Sequence, residues 1–152
     1  MAKFFSALAA AIFLGAPIGI AIGAPKSRTA KVKKEAAAMK WKGAFCQVSS
    51  ASYRIVHSNE EWRRLWEEIG KPAPAADLKR NFAVAVFAGT YNTGGYNVYF
   101  DKPLETSSRF TARYGITKPP KNGMVIQALT QPFAVRLYPR TEKSIDVEAL
   151  NP

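Results

Sequence analysis

Seven consecutive apolar residues, Phe82-Ala83-Val84-Ala85-Val86-Phe87-Ala88, constrain this chain more than any other feature. A run of that length, rich in Val and Phe and ended by Gly89, has no polar face to offer water. It therefore predicts a central β-strand covered on both sides. Val84 and Val86 are core residues on this reading. One cover is legible upstream, where Ser58-Asn59-Glu60-Glu61 forms a capping box: the Ser58 hydroxyl accepts an amide hydrogen bond and Glu61 reaches back to the cap. Trp62, Leu65, Trp66 and Ile69 then recur on one helical face, and Gly70 with Pro72 stops the helix. The tryptophans and Leu65 are read as core anchors.

The rest alternates with period two. Tyr53 to His57 reads as a strand that places His57 at a strand-to-helix corner, as a packed or hydrogen-bonded residue. Tyr96 to Phe100 and Arg109 to Tyr114 are strands with one buried face. Turns fall at Asp101-Lys102-Pro103 and Lys118 to Gly123, because proline fixes φ and Asn-Gly supplies positive φ. Met124 to Thr130 and Phe133 to Tyr138 read as two more strands. The short Gln131-Pro132 connection would make them antiparallel neighbours, with Pro132 a candidate for a cis bond. Phe133 and Val135 are expected in the core. Strand, helix, then hairpin-linked strands predict an α+β fold: an antiparallel sheet of about five to seven strands, flat or sandwich-like, with one amphipathic helix packed on it. Repeated strand-helix alternation is missing, which disfavours doubly wound nucleotide-binding folds.

The chain has 152 residues and a net charge of +11, with 47% hydrophobic residues. Such a length and balance fit one folded core and exclude general disorder. Residues 1–23 read as a secretory signal, with Lys3, an apolar run from Phe4 to Ile22 and the small-x-small site Ala21-Ile22-Gly23. The run is also long enough to remain as an uncleaved membrane anchor. Export, to the periplasm or the medium, is the expected localisation. Residues 24–44 follow as a basic linker in which Lys26, Arg28, Lys31, Lys33, Lys34, Lys40 and Lys42 outnumber Glu35. With few large apolar groups it cannot fold alone. It is either a solvated tether or a segment drawn to anionic lipid, polymer or an acidic partner. The folded domain is placed at 45–139, and 140–152 is a peripheral tail, although Ile145, Val147 and Leu150 could dock it as an extra strand.

Catalytic inventory is thin. Cys46 is the only cysteine and His57 the only histidine, so disulfide frameworks and Cys- or His-rich metal sites are excluded, and neither a metal nor a cofactor is expected. After export Cys46 is either a buried small hydrophobe or one half of an intermolecular disulfide. No nucleophile motif such as Gly-x-Ser-x-Gly flanks His57, and Glu60, Glu61, Glu67 and Glu68 fall on the solvent side of the helix. Arg109, Arg113 and Arg136 are expected on outward strand positions, where with Lys31, Lys33 and Lys34 they would form a basic surface. Nucleic acid is not an expected partner, because exposed aromatics do not interleave with those charges. The most distinctive local cluster is Gly89-Thr90-Tyr91-Asn92-Thr93-Gly94-Gly95-Tyr96 between two strong strands. It is not a phosphate loop, since no Gly-Lys-Ser/Thr follows and no helix begins there. A tight turn capped by Tyr96 and a partner-recognition loop are both open for it.

Four pieces together resemble the PrcB-like C-terminal domain family: Glu61-Trp62-x-x-Leu65-Trp66, Asp77 with the strand from Asn81 to Ala88 and Gly89, Thr93-Gly94-Gly95-Tyr96-x-Val98, and Gln131-Pro132-Phe133 leading into Val135 to Pro139. The resemblance spans about residues 53–139. It implies an exported bacterial domain, without catalytic activity of its own, that associates with and stabilises a secreted subtilisin-like protease complex. A lipoprotein cysteine at the signal junction is not present. Residues and resemblance together predict a non-enzymatic interaction module that binds another exported protein through the loop from Gly89 to Tyr96 or through an open sheet edge. The alternatives are a basic envelope protein that binds anionic lipid or polymer through residues 26–42, and a small hydrolase built on Cys46 or His57.

Overall fold

The computed structural model describes residues 39–150. The segment read as a secretory signal, most of the stretch read as a basic linker with Lys31, Lys33 and Lys34, and the last two residues lie outside them. The described elements run β1 (Lys40–Gly43), β2 (Ala51–Val56), α1 (Asn59–Ile69), β3 (Asn81–Ala88), β4 (Asn97–Phe100), β5 (Leu104–Glu105), β6 (Arg109–Thr117), β7 (Phe133–Pro139) and β8 (Ser144–Ala149). They form two sheets and one short helix. The first sheet has the order β1-β7-β3-β2 and is antiparallel throughout. In the second, β4 and β5 pair antiparallel with the two halves of β6, and β8 pairs parallel with it. β5 and β8 share Phe110 and Thr111 as partners, so they flank opposite edges of β6.

All eight residues of β3 are buried, because its two faces feed two different cores. Ala83, Ala85 and Phe87 face the helix, together with Phe133, Val135 and Leu137 of β7. Phe82, Val84, Val86 and Ala88, with Tyr138 of β7, face the second sheet, where they meet Val98, Phe110 and Ala112. The order of layers is thus helix, sheet, sheet. Alanines at 83 and 85 leave depth for large rings above them, and Trp62, Leu65, Trp66 and Ile69 fill it. Trp62 and Trp66 lie edge to face at 5.5 Å, and Trp66 meets Phe133 at 6.4 Å.

The helix starts where its sequence says. The Ser58 Oγ accepts from the Glu61 N–H at 3.2 Å, and the Glu61 carboxylate accepts from the backbone N–H of His57 at 2.7 Å and of Ser58 at 3.1 Å. The His57 backbone N–H is the main cause that holds the Glu61 carboxyl below its ordinary value of 4.5; desolvation opposes it, and the Ser58 N–H adds to the lowering. A lowered pKa in the folded state stabilises the fold above the ordinary value and loses that contribution as pH falls through the lowered one. Glu61→Ala is therefore expected to lower the melting temperature at pH 7 and to match the native protein in acid; parallel melts from pH 7 to pH 3 check this.

Two expectations fail together, for one reason. Met124 to Thr130 is not a strand and does not neighbour β7, because both edges of β7 are already taken, one by β3 and the other by β1. β1 comes from the stretch expected to be linker. Its Lys40-Trp41-Lys42 alternation sends Trp41 into the helix-side core, 5.3 Å from Trp62 and 5.9 Å from Trp66. At the other end the tail does dock as a strand, with Ile145 and Val147 packed against the core between the sheets. The folded unit accordingly reaches beyond 45–139 at both ends. Among the described residues no peptide bond is cis, Pro132 included.

Candidate partner-binding surface

The chain leaves β3 at Gly89, with φ of +83°, and crosses the end of the sandwich before β4. Met124 to Thr130 runs beside this crossing and is held to it by backbone bonds. Tyr91 and Thr130 exchange both of theirs, at 2.8 and 2.9 Å, and the Gly94 N–H donates to the Ile126 carbonyl at 2.9 Å. Thr130 is wholly buried, and its hydroxyl donates to the Thr93 carbonyl at 2.9 Å. The two segments thus form one zipped pair of loops. Its glycines are where the pair closes: a Cβ on Gly94 would stand 2.5 Å from Ile126, and one on Gly95 2.7 Å from Pro119. Gly95 also holds φ at +89°, a region that costs an L-residue about 1–2 kcal/mol. Gly95→Ala is expected to lower stability by at least that amount, about 1–2 kcal/mol, measured by urea denaturation.

The outer side of this loop pair is apolar. Met124 is fully exposed, Ile126 is 59% exposed and Leu129 is 61% exposed. Exposed large apolar groups gathered on one segment mark interaction sites more often than chance surface positions do. Around the corner, Tyr91 stacks on Tyr96 with ring centroids 3.9 Å apart and planes 14° apart. With Tyr99, Tyr114, Ile116, Lys118 and Leu150 they line a cleft of about 400 Å³. Among the described residues that line it are hydroxyls, rings and the Lys118 side chain, but no carboxylate, histidine or thiol.

The other residues singled out from the sequence have structural tasks. The Cys46 thiol donates to the Gln131 carbonyl at 3.3 Å, and burial pushes its pKa up, which keeps it a thiol at neutral pH. His57 lies over Phe82 with ring centroids 6.1 Å apart. Among the described residues no group of three His, Cys, Asp or Glu side chains is placed to hold a metal. Arg109, Arg113 and Arg136 do not form the basic face expected of them. Arg109 pairs with Asp146 of β8 at 3.2 Å and Arg113 with Asp101 at 2.6 Å. Arg136 points between the sheets, 5.0 Å over Tyr138, and donates to the Asp101 carbonyl at 3.2 Å. The strand alternation placed Arg109 and Arg113 correctly on the outer face, and the carboxylates that neutralise them come from turns and β8, which alternation does not locate.

Helix, sheet and sheet in layers, with a zipped loop pair at one end, define a small α+β domain whose distinctive feature is a surface. Its central part is similar to a known family: residues 82–135 match the model of the PrcB C-terminal family. The match runs from β3 through both loops into β7, so it contains the whole loop pair, and it bears out the resemblance read from the sequence over that span. No curated protein and no solved structure matches the chain.

Proposed function

We propose that this protein is an exported, non-enzymatic interaction module that binds another exported protein, a secreted protease complex being the first candidate. One observation carries the reading: the loop pair from Gly89 to Tyr96 and from Met124 to Thr130 is rigidly zipped inside, yet presents Met124, Ile126 and Leu129 to water. A segment ordered by buried hydrogen bonds keeps its exposed apolar groups in fixed positions, so a partner meets a surface that loses little entropy on binding. The match to the PrcB C-terminal family supports a protease complex as the kind of assembly concerned. A catalytic role has no comparable support: the Cys46 thiol donates to the Gln131 carbonyl, His57 stacks on Phe82, and among the described residues no hydrogen bond joins the two side chains.

The test is capture. Intact protein immobilised and exposed to the envelope and secreted fractions of the source organism is expected to retain a defined protein at both low and high salt, identified by mass spectrometry. High salt screens exposed charges and leaves apolar contact intact. Capture of nothing but anionic polymer or lipid, released by salt, would sink the proposal.

A further inference from the structure

The open edge of β1 offers a second surface with a chemistry of its own. β1 stands at the end of the first sheet, with β7 on one side and, among the described residues, no strand on the other. Its ladder parity is fixed by the bond from the Leu137 N–H to the Met39 carbonyl. Met39 is two residues before Trp41 and four before Gly43, so in an antiparallel pair these odd-numbered residues turn their backbone groups toward β7. Lys40 and Lys42 therefore turn their N–H and C=O groups outward and in line, with no backbone partner among the described residues.

Their side chains share a face. Trp41 packs toward the helix, so Lys40 and Lys42 extend on the opposite face, toward the second sheet. There the two lysines, with Val98, Tyr99, Phe100 and Ala134, line a cavity of about 250 Å³ between β1 and β4. Both lysines are exposed, and among the described residues neither has an ion-pair partner. The opposite edge of the same sheet differs in this respect. On β2, Arg54 is already matched by Glu68 at 2.7 Å, and Glu61 lines the same hollow. The basic character also continues along the chain, because the residues just before β1 include Lys31, Lys33 and Lys34 with only Glu35 against them.

We propose that β1 is an acceptor for an extended, acidic segment of the partner protein, which adds to the first sheet as a further strand. The segment would bond the outward N–H and C=O groups of Lys40 and Lys42. Its alternate side chains would face the cavity, with carboxylates opposite the two lysines, while the intervening apolar side chains would fall on the other face, beside Trp41. Sheet hydrogen bonding supplies the register and the lysines supply the selection for acid. This inference rests on the reading of the protein as an interaction module and adds to it the chemistry of the partner segment.

The probe is a ten-residue peptide alternating glutamate with valine, compared with a peptide of identical composition whose glutamates form one block. Binding to the intact protein is followed by fluorescence anisotropy, and amide hydrogen exchange is read at Lys40 and Lys42. The alternating peptide is expected to bind at least tenfold more tightly than the block peptide and to slow exchange at both lysine amides, while Trp41 and Gly43, already bonded to β7, change little. Lys40→Glu is expected to weaken binding at least tenfold, whereas Lys79→Glu, the same change of charge elsewhere, leaves it intact. Lys42→Pro removes an outward N–H without touching the ladder to β7 and should abolish the protection at Lys40. Equal binding of the two peptides, or binding without slower exchange at Lys40 and Lys42, overturns the proposal, as does competition by phosphatidylglycerol vesicles that bind without slowing those amides. A natural partner captured equally well by native and Lys42→Pro protein would remove the β1 site and leave the proposed function standing; capture of no protein at all would remove the proposed function.

Discussion

Trp66→Ala is expected to destabilise the fold by about 3–5 kcal/mol, the usual cost of replacing a buried tryptophan by alanine. Trp66 is 4% exposed and stands at the centre of the helix-side core, in contact with Trp41, Trp62 and Phe133. Helix, β1 and β7 therefore meet on this one ring. Its loss leaves a cavity under a helix of only three turns, which has few other means of holding to the sheet. Domains of this size have about 5–15 kcal/mol in total, so the variant is expected to be partly unfolded at 37 °C. Urea denaturation followed by circular dichroism measures the difference, and a change below about 1 kcal/mol would show that the helix is not held this way. Trp41→Ala is expected to fall in the same direction by less, because Trp41 is only partly buried. The comparison shows whether β1 is integral to the fold.

The second large effect concerns binding alone. Met124→Asp combined with Leu129→Asp is expected to abolish partner capture while leaving the melting temperature within a degree or two of native. Both side chains are exposed, so the fold loses little when they change. A charge set into the apolar centre of an interface removes buried contact and strands an unpaired carboxylate, and central contacts of this kind are worth about 2 kcal/mol or more each, roughly 30-fold in affinity. Loss of capture together with loss of folding would point instead to a structural task for the segment. Retained capture by a folded variant would exclude the loop pair as the contact surface.

The sandwich shows where alternation misleads. Met124 to Thr130 has the composition of a strand, with Met124 and Ile126 on one face, yet both are exposed because no free edge of β7 is available. The residues that occupy that edge, Lys40 to Gly43, carry one apolar side chain of consequence, Trp41. Edge strands need little hydrophobicity when a neighbour already covers them, so their own sequence is a weak guide. The glycines of the loop were legible as a place where the backbone turns sharply, while their purpose, close approach to Ile126 and Pro119, depends on a segment distant in sequence.

By itself the sequence determined the local and the strongly periodic: the capping box at Ser58, the tryptophan face of α1, the doubly buried β3, and the match to a family over the central part. These follow from interactions within a few residues, or from apolar runs that admit one environment. The tertiary structure alone decided which strands adjoin, that Arg109 and Arg113 are neutralised while Lys40 and Lys42 have no ion-pair partner among the described residues, and that Met124, Ile126 and Leu129 face water. Those outcomes depend on competition among distant segments for a limited number of strand edges and carboxylates. Such competition is settled by the packing of the whole chain, and no window of sequence contains it.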